Sequence, residues 1–83
     1  MSSQLRTSEQ EAYVLHTYSY RETSLIVELF TRQYGRIGVV AKGARRPNSL
    51  LRSALQSFQP LYTSWGGRAD LKTLYGAELR FGL

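Results

Sequence analysis

The chain has 83 residues, of which 42% are hydrophobic, and a formal net charge of +5, which together predict one folded domain with one small core. It contains no cysteine, which excludes a disulfide framework and a thiolate zinc site. No segment approaches the roughly 20 apolar residues that cross a bilayer, and the start, MSSQLRTSEQ, lacks the apolar stretch of a secretory signal. We therefore expect a cytoplasmic domain with no membrane partner.

The charge is unevenly distributed along the chain. No Asp or Glu occurs from Leu29 to Ala69. The cations of this stretch are Arg32, Arg36, Lys42, Arg45, Arg46, Arg52 and Arg68. A long segment of one sign predicts a positive field over part of the surface, as in nucleic-acid-binding domains. On charge alone, the binding partner could equally be an anionic membrane or an acidic protein.

The start of the chain is polar, and residues 1–10 predict a flexible segment that precedes a folded domain over residues 11–83. The first strand is predicted from Tyr13 to Tyr20, a run rich in aromatic and β-branched residues. The next run, TSLIVELFT at 23–31, fits two structures. Its apolar residues alternate as in a strand, but they also fit a helical stripe with a capping-box pair before it.

A short turn favours the strand. The segment RQYGR at 32–36 has the length and the glycine of a hairpin turn, and IGVVA at 37–41 is a second alternating run. We therefore predict an antiparallel hairpin. Its core-facing residues are Leu25, Val27, Leu29, Ile37, Val39 and Ala41. Its other face carries Glu28, Phe30, Arg36, Gly38, Val40 and Lys42.

A helix is predicted after the hairpin. Pro47, followed by Asn48 or Ser49, is typical of a helix start, and the apolar residues beyond it share one face of a helix of about two to three turns. These apolar residues are Leu51, Ala54 and Leu55.

Two further runs, FQPLYTSW at 58–65 and LKTLYGAEL at 71–79, predict strands on either side of the turn GGRAD at 66–70. The predicted order is three strands, one short helix and two strands. This order indicates an all-β fold, the five-stranded OB-fold Greek-key barrel with a helix between strands 3 and 4. An SH3-like barrel also has five strands, but it does not place a helix at that point.

Catalytic chemistry has little support in the sequence. The only histidine, His16, lies within a predicted strand, and no cysteine accompanies it as a metal ligand. The chain contains no close carboxylate pair, no nucleophile elbow and no phosphate-binding P-loop. The GXXG pattern at Gly35–Gly38 joins two helices in KH domains, whereas here it joins two strands. We therefore expect no enzymatic activity and no cofactor.

Cations interleaved with aromatic rings are what a nucleic acid requires, since phosphates bind Lys and Arg and unpaired bases stack on rings. A solvated basic face is the plainer explanation of the same residues. The predicted phosphate contacts are Arg36, Lys42, Arg45 and Arg46, with Arg32, Arg52, Arg68 and Lys72 as weaker candidates. Tyr34 and Phe30 are the aromatics predicted to be exposed enough to stack, whereas most of the others are predicted to be buried, with Tyr62, Trp65 or Tyr75 as the residues that supply the core.

Five short motifs carry a family resemblance. They are ETSL at 22–25, GR at 35–36, AKGARRP at 41–47, LQSFQP at 55–60 and LKTL at 71–74. Over about residues 12–79 the chain resembles the N-terminal domain of the RecO family of bacterial DNA repair proteins.

The resemblance implies an OB-fold in a recombination mediator that binds single- and double-stranded DNA and anneals complementary strands without a nucleotide. It implies a nucleoid-associated protein whose partners are RecR and the single-stranded DNA-binding protein. Members of the family continue into a C-terminal helical domain, and some into a zinc-binding segment. We expect this chain to be the isolated N-terminal domain, without the C-terminal part that contacts the single-stranded DNA-binding protein.

A second function remains open. OB-folds also serve as protein-docking adaptors, and a basic face suits an acidic segment of a partner protein as well as a DNA backbone.

Overall fold

Five strands and one short helix make up the part of the chain that the structure describes. The structure is a computed structural model that covers residues 5–56 and 58–80, with side chains from residue 9 onward. The elements are β1 (Leu5–Tyr20), β2 (Ser24–Thr31), β3 (Gly35–Ala41), α1 (Leu50–Ala54), β4 (Pro60–Gly67) and β5 (Leu71–Leu79). The predicted order of the elements is confirmed.

The strands close into a barrel in the order β1-β2-β3-β5-β4, and β4 pairs with β1 to complete it. All neighbouring strands are antiparallel except β3 and β5, which run parallel. This Greek-key arrangement, with α1 between β3 and β4, is that of an OB-fold, so the predicted fold is confirmed. Each described strand has a neighbour on both sides, which protects its backbone from pairing with another chain.

Strand β1 is long because it pairs with two strands. Its last residues pair with β2 and its first with β4, from Leu5 opposite Gly67. The register shifts between Val14 and His16 and again further upstream, and such bulges let one strand bend around a barrel. The prediction of a flexible segment over residues 1–10 was wrong for residues 5–10, because backbone pairing with β4 does not require apolar side chains. Residues 1–4 lie outside the described part.

Strands β2 and β3 form the predicted hairpin, paired from Leu25 opposite Ala41 to Thr31 opposite Gly35. The helical alternative for residues 23–31 was wrong. Of the six residues predicted to face the core, Val27, Leu29, Val39 and Ala41 are buried and the other two are half-buried against the core. The alternating pattern therefore fixed both the register and the facing of the hairpin.

The core is built from the inward residues of all five strands around one large side chain, Trp65, which is fully buried. Tyr62 and Tyr75 were also predicted to supply the core, but both are exposed. Side chains alternate between the two faces of a strand. On β4, Leu61, Thr63 and Trp65 point inward, so Tyr62 points outward.

Helix α1 is shorter than predicted, with five residues. Ser49 caps it as expected, because its Oγ accepts a hydrogen bond from the Leu51 N–H at 3.2 Å. The predicted apolar face is confirmed, since Ala54 and Leu55 are buried in the core. The helix ends where Leu55 leaves the helical region (φ −88°, ψ 61°) and the chain turns toward Pro60, the first residue of β4.

Two leucines give a matched test of this packing. Leu61 is 0% exposed and Leu50 is 90% exposed. We expect Leu61→Ala to lower the free energy of unfolding by about 2–5 kcal/mol, because it leaves a cavity in the core. Leu50→Ala should change it by no more than about 0.5 kcal/mol. Urea denaturation followed by circular dichroism measures both, and equal effects would contradict the assigned core.

Candidate nucleic-acid interface

A polar groove of about 420 Å³ lies where the β1–β2 turn meets the loop after β3. We call it the basic groove, and we call residues 42–49 the basic loop. The groove is lined by three cations, Arg21, Lys42 and Arg46, and by residues that include Tyr20, Ser24 and Thr73. No carboxylate is among the described lining residues. The nearest acid in the sequence, Glu22, is exposed in the turn. The groove therefore favours an anionic ligand.

The basic loop is ordered by local turns and by one buried anchor. Gly43 adopts a left-handed conformation (φ +73°), which a residue with a Cβ adopts only under strain. Ala44 is fully buried in the core. Arg46 N–H donates to the carbonyl of Gly43 at 3.1 Å, and Ser49 N–H donates to the carbonyl of Arg46 at 3.0 Å. These contacts hold the cations of the loop at fixed positions on the barrel.

Arg45 joins the two walls of the groove. Its backbone N–H donates to the carbonyl of Thr23 at 2.9 Å, and its guanidinium Nη1 donates to the carbonyl of Arg21 at 2.9 Å. The sequence predicted a phosphate contact at this residue. In the structure, Arg45 does not line the groove, and its side chain holds the β1–β2 turn against the basic loop.

Lys42 and Arg46 are the two predicted contacts that the structure brings together in the groove. Both side chains are exposed, and neither has an ion-pair partner within residues 9–56 and 58–80. Their charges are therefore available to a ligand without the loss of an internal salt bridge.

Sequence reasoning missed Arg21, the third cation of the groove. It lies in the β1–β2 turn with a positive φ of 57°, and its guanidinium carbon is 5.0 Å from the centroid of the Tyr20 ring. The position of Arg21 in the fold is the one signal that could have identified it. The β1–β2 loop is one of the loops through which OB-folds bind oligonucleotides.

The other predicted phosphate contacts lie outside the lining of the groove. Arg32 pairs with Glu11 at 3.4 Å near the far end of β2. Arg52 is exposed on α1, Arg68 is exposed in the β4–β5 turn, and Lys72 is half-buried on β5.

Arg36 is held in a cluster on the outer face of the hairpin. Its Nε and Nη2 donate to Glu28 Oε1 at 3.0 and 2.7 Å, and Tyr18 Oη donates to Glu28 Oε2 at 2.8 Å. The hydrogen bond from Tyr18, and then those from Arg36, hold the pKa of Glu28 below its ordinary value of 4.5. The same bond to Glu28 raises the pKa of Tyr18. Because its charge is already compensated, the Arg36 guanidinium is less available to an anionic ligand than the charged groups of Lys42 and Arg46, which have no ion-pair partner within the described residues.

More aromatic side chains are exposed than the sequence predicted. Tyr34 is 42% exposed, but its ring makes a T-shaped contact with the buried Trp65, with the centroids 5.2 Å apart, so part of the ring packs on the core. Phe30 is exposed as predicted. The prediction that these two alone are exposed enough to stack was wrong. The alternation of side chains along the strands also places Tyr13, Tyr18, Tyr62 and Tyr75 on the outer surface, and Phe58 is exposed in the turn before β4.

Neither a metal site nor a membrane span occurs in the described part of the chain. Its His, Asp and Glu side chains form no group of three or more that could hold an ion. No helix among the described residues is long and apolar enough to cross a bilayer. His16 is an exposed strand residue opposite Glu28, with its ring 6.2 Å from that of Tyr18.

The fold and the groove define the class of the protein, an OB-fold domain with an acid-free basic groove between its first turn and the loop after its third strand. The chain belongs to the family described as "Recombination protein O N terminal", whose model matches residues 1–82. The resemblance to RecO is thereby confirmed.

Three relatives illustrate the match. The chain is 63% identical over 73 residues to DNA repair protein RecO of Ralstonia nicotianae and 58% identical over 77 residues to that of Burkholderia pseudomallei. It is 52% identical over 83 residues to that of Thiobacillus denitrificans. These alignments cover 88%, 93% and 100% of this chain but 27%, 28% and 32% of the relatives. The chain therefore spans about a third or less of their length.

The cluster around Glu28 gives a pH prediction. Because the folded state holds this pKa below 4.5, the cluster stabilises the fold above the ordinary pKa, and this contribution is lost as pH falls through the lowered pKa. An NMR titration of the Glu28 carboxyl carbon should give a midpoint below 4.5. Tyr18→Phe should move it upward, because the hydrogen bond from Tyr18 is the largest cause. An unchanged midpoint in the variant would contradict this assignment.

Proposed function

We propose that this chain is the non-catalytic DNA-binding domain of a recombination mediator in DNA repair, and that it binds the DNA backbone in the basic groove. The observation that carries the proposal is the approach of Arg21 to Lys42 and Arg46 across a groove with no lining carboxylate. Family membership supports the same proposal, because the relatives are named DNA repair proteins.

Counterion release supplies the binding free energy in this proposal. Each cation that neutralises a phosphate releases condensed counterions, so the affinity is sequence-independent and falls with salt. Base-specific readout in the major groove needs an inserted helix or β-ribbon. The five-residue α1 is too short to present such a reading surface, and the β2–β3 hairpin is not a free ribbon because both strands are paired on each side within the barrel. We therefore propose little sequence preference, with Arg45 as a positioning residue that keeps the walls of the groove together.

We assign strand annealing and the protein contacts of the family to the full-length protein and not to this domain alone. We propose that the domain binds single- and double-stranded DNA on its own, and that strand annealing belongs to the full-length protein. Contacts with RecR and with the single-stranded DNA-binding protein are proposed for the full-length protein, the latter through its C-terminal part. A cytoplasmic, nucleoid-associated location follows from this function.

A salt series tests the proposal. Fluorescence anisotropy with a labelled oligonucleotide, single-stranded and as duplex, gives the slope of log K against log salt concentration. We expect Lys42→Ala/Arg46→Ala to weaken binding and to reduce the slope by about two phosphate contacts, roughly 1.8 for duplex and 1.4 for single strands. Circular dichroism establishes that the variant remains folded.

Two variants serve as matched controls. Lys42→Arg/Arg46→Lys keeps both charges and should keep the slope. Arg52→Ala/Arg68→Ala removes two exposed charges outside the lining of the groove and should change the slope less than Lys42→Ala/Arg46→Ala does. DNA binding that is equal in the double alanine variant and the wild type contradicts the assignment of the groove. If the wild type binds no DNA but binds an acidic peptide, the adaptor function replaces the proposal.

A further inference from the structure

A second surface lies at the opposite end of β2 from the basic groove. Three aromatic rings are exposed there, with Phe30 at 55%, Tyr13 at 43% and Tyr62 at 38%. Tyr13 is directly opposite Phe30 in the pairing of β1 with β2, so the two side chains stand side by side on the outer face. Phe30 has no ring or cation–π partner within the described residues.

A cavity of about 340 Å³ opens beside these rings, and we call it the aromatic pocket. Its lining includes Tyr13, Phe30, Arg32, Arg80 and one carboxylate, that of Glu11. Arg32 pairs with this carboxylate at 3.4 Å, and Arg80 pairs with its other oxygen. Two guanidinium groups therefore share a single negative charge, which leaves the pocket with a net positive charge.

The Arg80 guanidinium lies close to the aromatic rings. Its central carbon is 5.8 Å from the centroid of Tyr13 and 5.9 Å from that of Tyr62. Both distances are within the range of a cation–π interaction. The pocket therefore presents flat π surfaces and an excess cation within a few ångströms of each other.

This chemistry matches an unpaired nucleotide better than a peptide. A base offers a flat face to stack on a ring, and its phosphate offers the negative charge that the guanidinium groups lack. A peptide that binds by strand addition needs an open sheet edge. Here β1 is paired with both β2 and β4, and β2 with both β1 and β3.

We propose that the aromatic pocket stacks an unpaired base, so that single-stranded DNA binds the domain at two points whereas duplex DNA engages the basic groove alone. This inference rests on the proposed DNA-binding function. The eight residues of β2 separate the two sites by about 23 Å at 3.3 Å per residue. A strand of a few nucleotides covers such a distance, in keeping with the roughly 4–16 nucleotides that one OB-fold binds.

The surface between the two sites is not repulsive to a phosphate backbone. The outward positions of β2 between them are Ile26 and Glu28. The single carboxylate there accepts two hydrogen bonds from Arg36. The path along β2 is therefore close to neutral.

The test compares a stacking variant with a matched control. Tyr13→Ala/Phe30→Ala removes two rings of the pocket, whereas Tyr75→Ala removes a similarly exposed ring that does not line it. We expect the Kd for a labelled 12-nucleotide oligo-dT to rise about tenfold or more in the double variant. Its Kd for a 12-base-pair duplex should stay within about twofold of wild type, and the salt slope should be unchanged because stacking releases no counterions.

Two further measurements separate stacking from a loss of structure. Tyr13→Phe/Phe30→Tyr keeps both rings and should bind oligo-dT like the wild type. Photo-crosslinking with an oligo-dT that carries one 5-iodouridine should label Tyr13 or Phe30, as located by mass spectrometry.

The outcomes distinguish this inference from the proposed function. If the Tyr13→Ala/Phe30→Ala variant binds oligo-dT like the wild type, or loses single-strand and duplex binding equally, the stacking site is overturned. Crosslinks confined to other residues also overturn it. In these cases the proposed function stands as long as Lys42→Ala/Arg46→Ala still weakens duplex binding. If the wild type binds neither probe, both fail.

Discussion

The closure of the barrel is the constraint on which the rest of the structure depends. Strand β1 pairs with β2 through its second half and with β4 through its first half, and the short parallel contact between β3 and β5 completes the ring. Closure buries Trp65 and Leu61 completely in a chain of only 83 residues. Within the barrel, the pairing of β2 with both β1 and β3 holds the β1–β2 turn beside the loop that leaves β3, which is where the basic groove forms.

The groove is preorganised by contacts that do not themselves reach a ligand. Ala44 fixes the basic loop to the core, and Arg45 ties that loop to the carbonyls of Arg21 and Thr23. A ligand therefore meets cations whose backbone positions are already set, so less conformational freedom is lost on binding than in a free loop. The cations that do have partners, such as Arg36, serve instead to neutralise the carboxylates of the outer face.

The sequence predicted most of the fold because the signals of strands and turns are local. Alternating apolar residues gave the hairpin and its facing, and glycine-containing turns gave the strand order. Residues 5–10 were missed as a strand because they pair through their backbone and carry few apolar side chains. Tyr62 was misplaced because side chains alternate along β4, and Tyr62 stands between the inward-facing Leu61 and Thr63. The site was harder to predict. Lys42 and Arg46 lie in one short run, but Arg21 joins them only through the pairing of β2 with β3, and the pairing of Arg36 with Glu28 depends on the register of the same two strands.

We propose that the pairing of β1, β2 and β3 forms a groove that binds DNA, and an NMR titration tests this proposal most directly. Amide ¹H–¹⁵N spectra of the wild-type domain are recorded as a short DNA duplex is added at low salt. We expect the largest shifts on residues 21–24 and 42–46 and on Thr73, with little change at Arg52 and Ser53 on the exposed face of α1. Shifts concentrated on α1 with the groove amides unmoved would contradict the assignment of the groove.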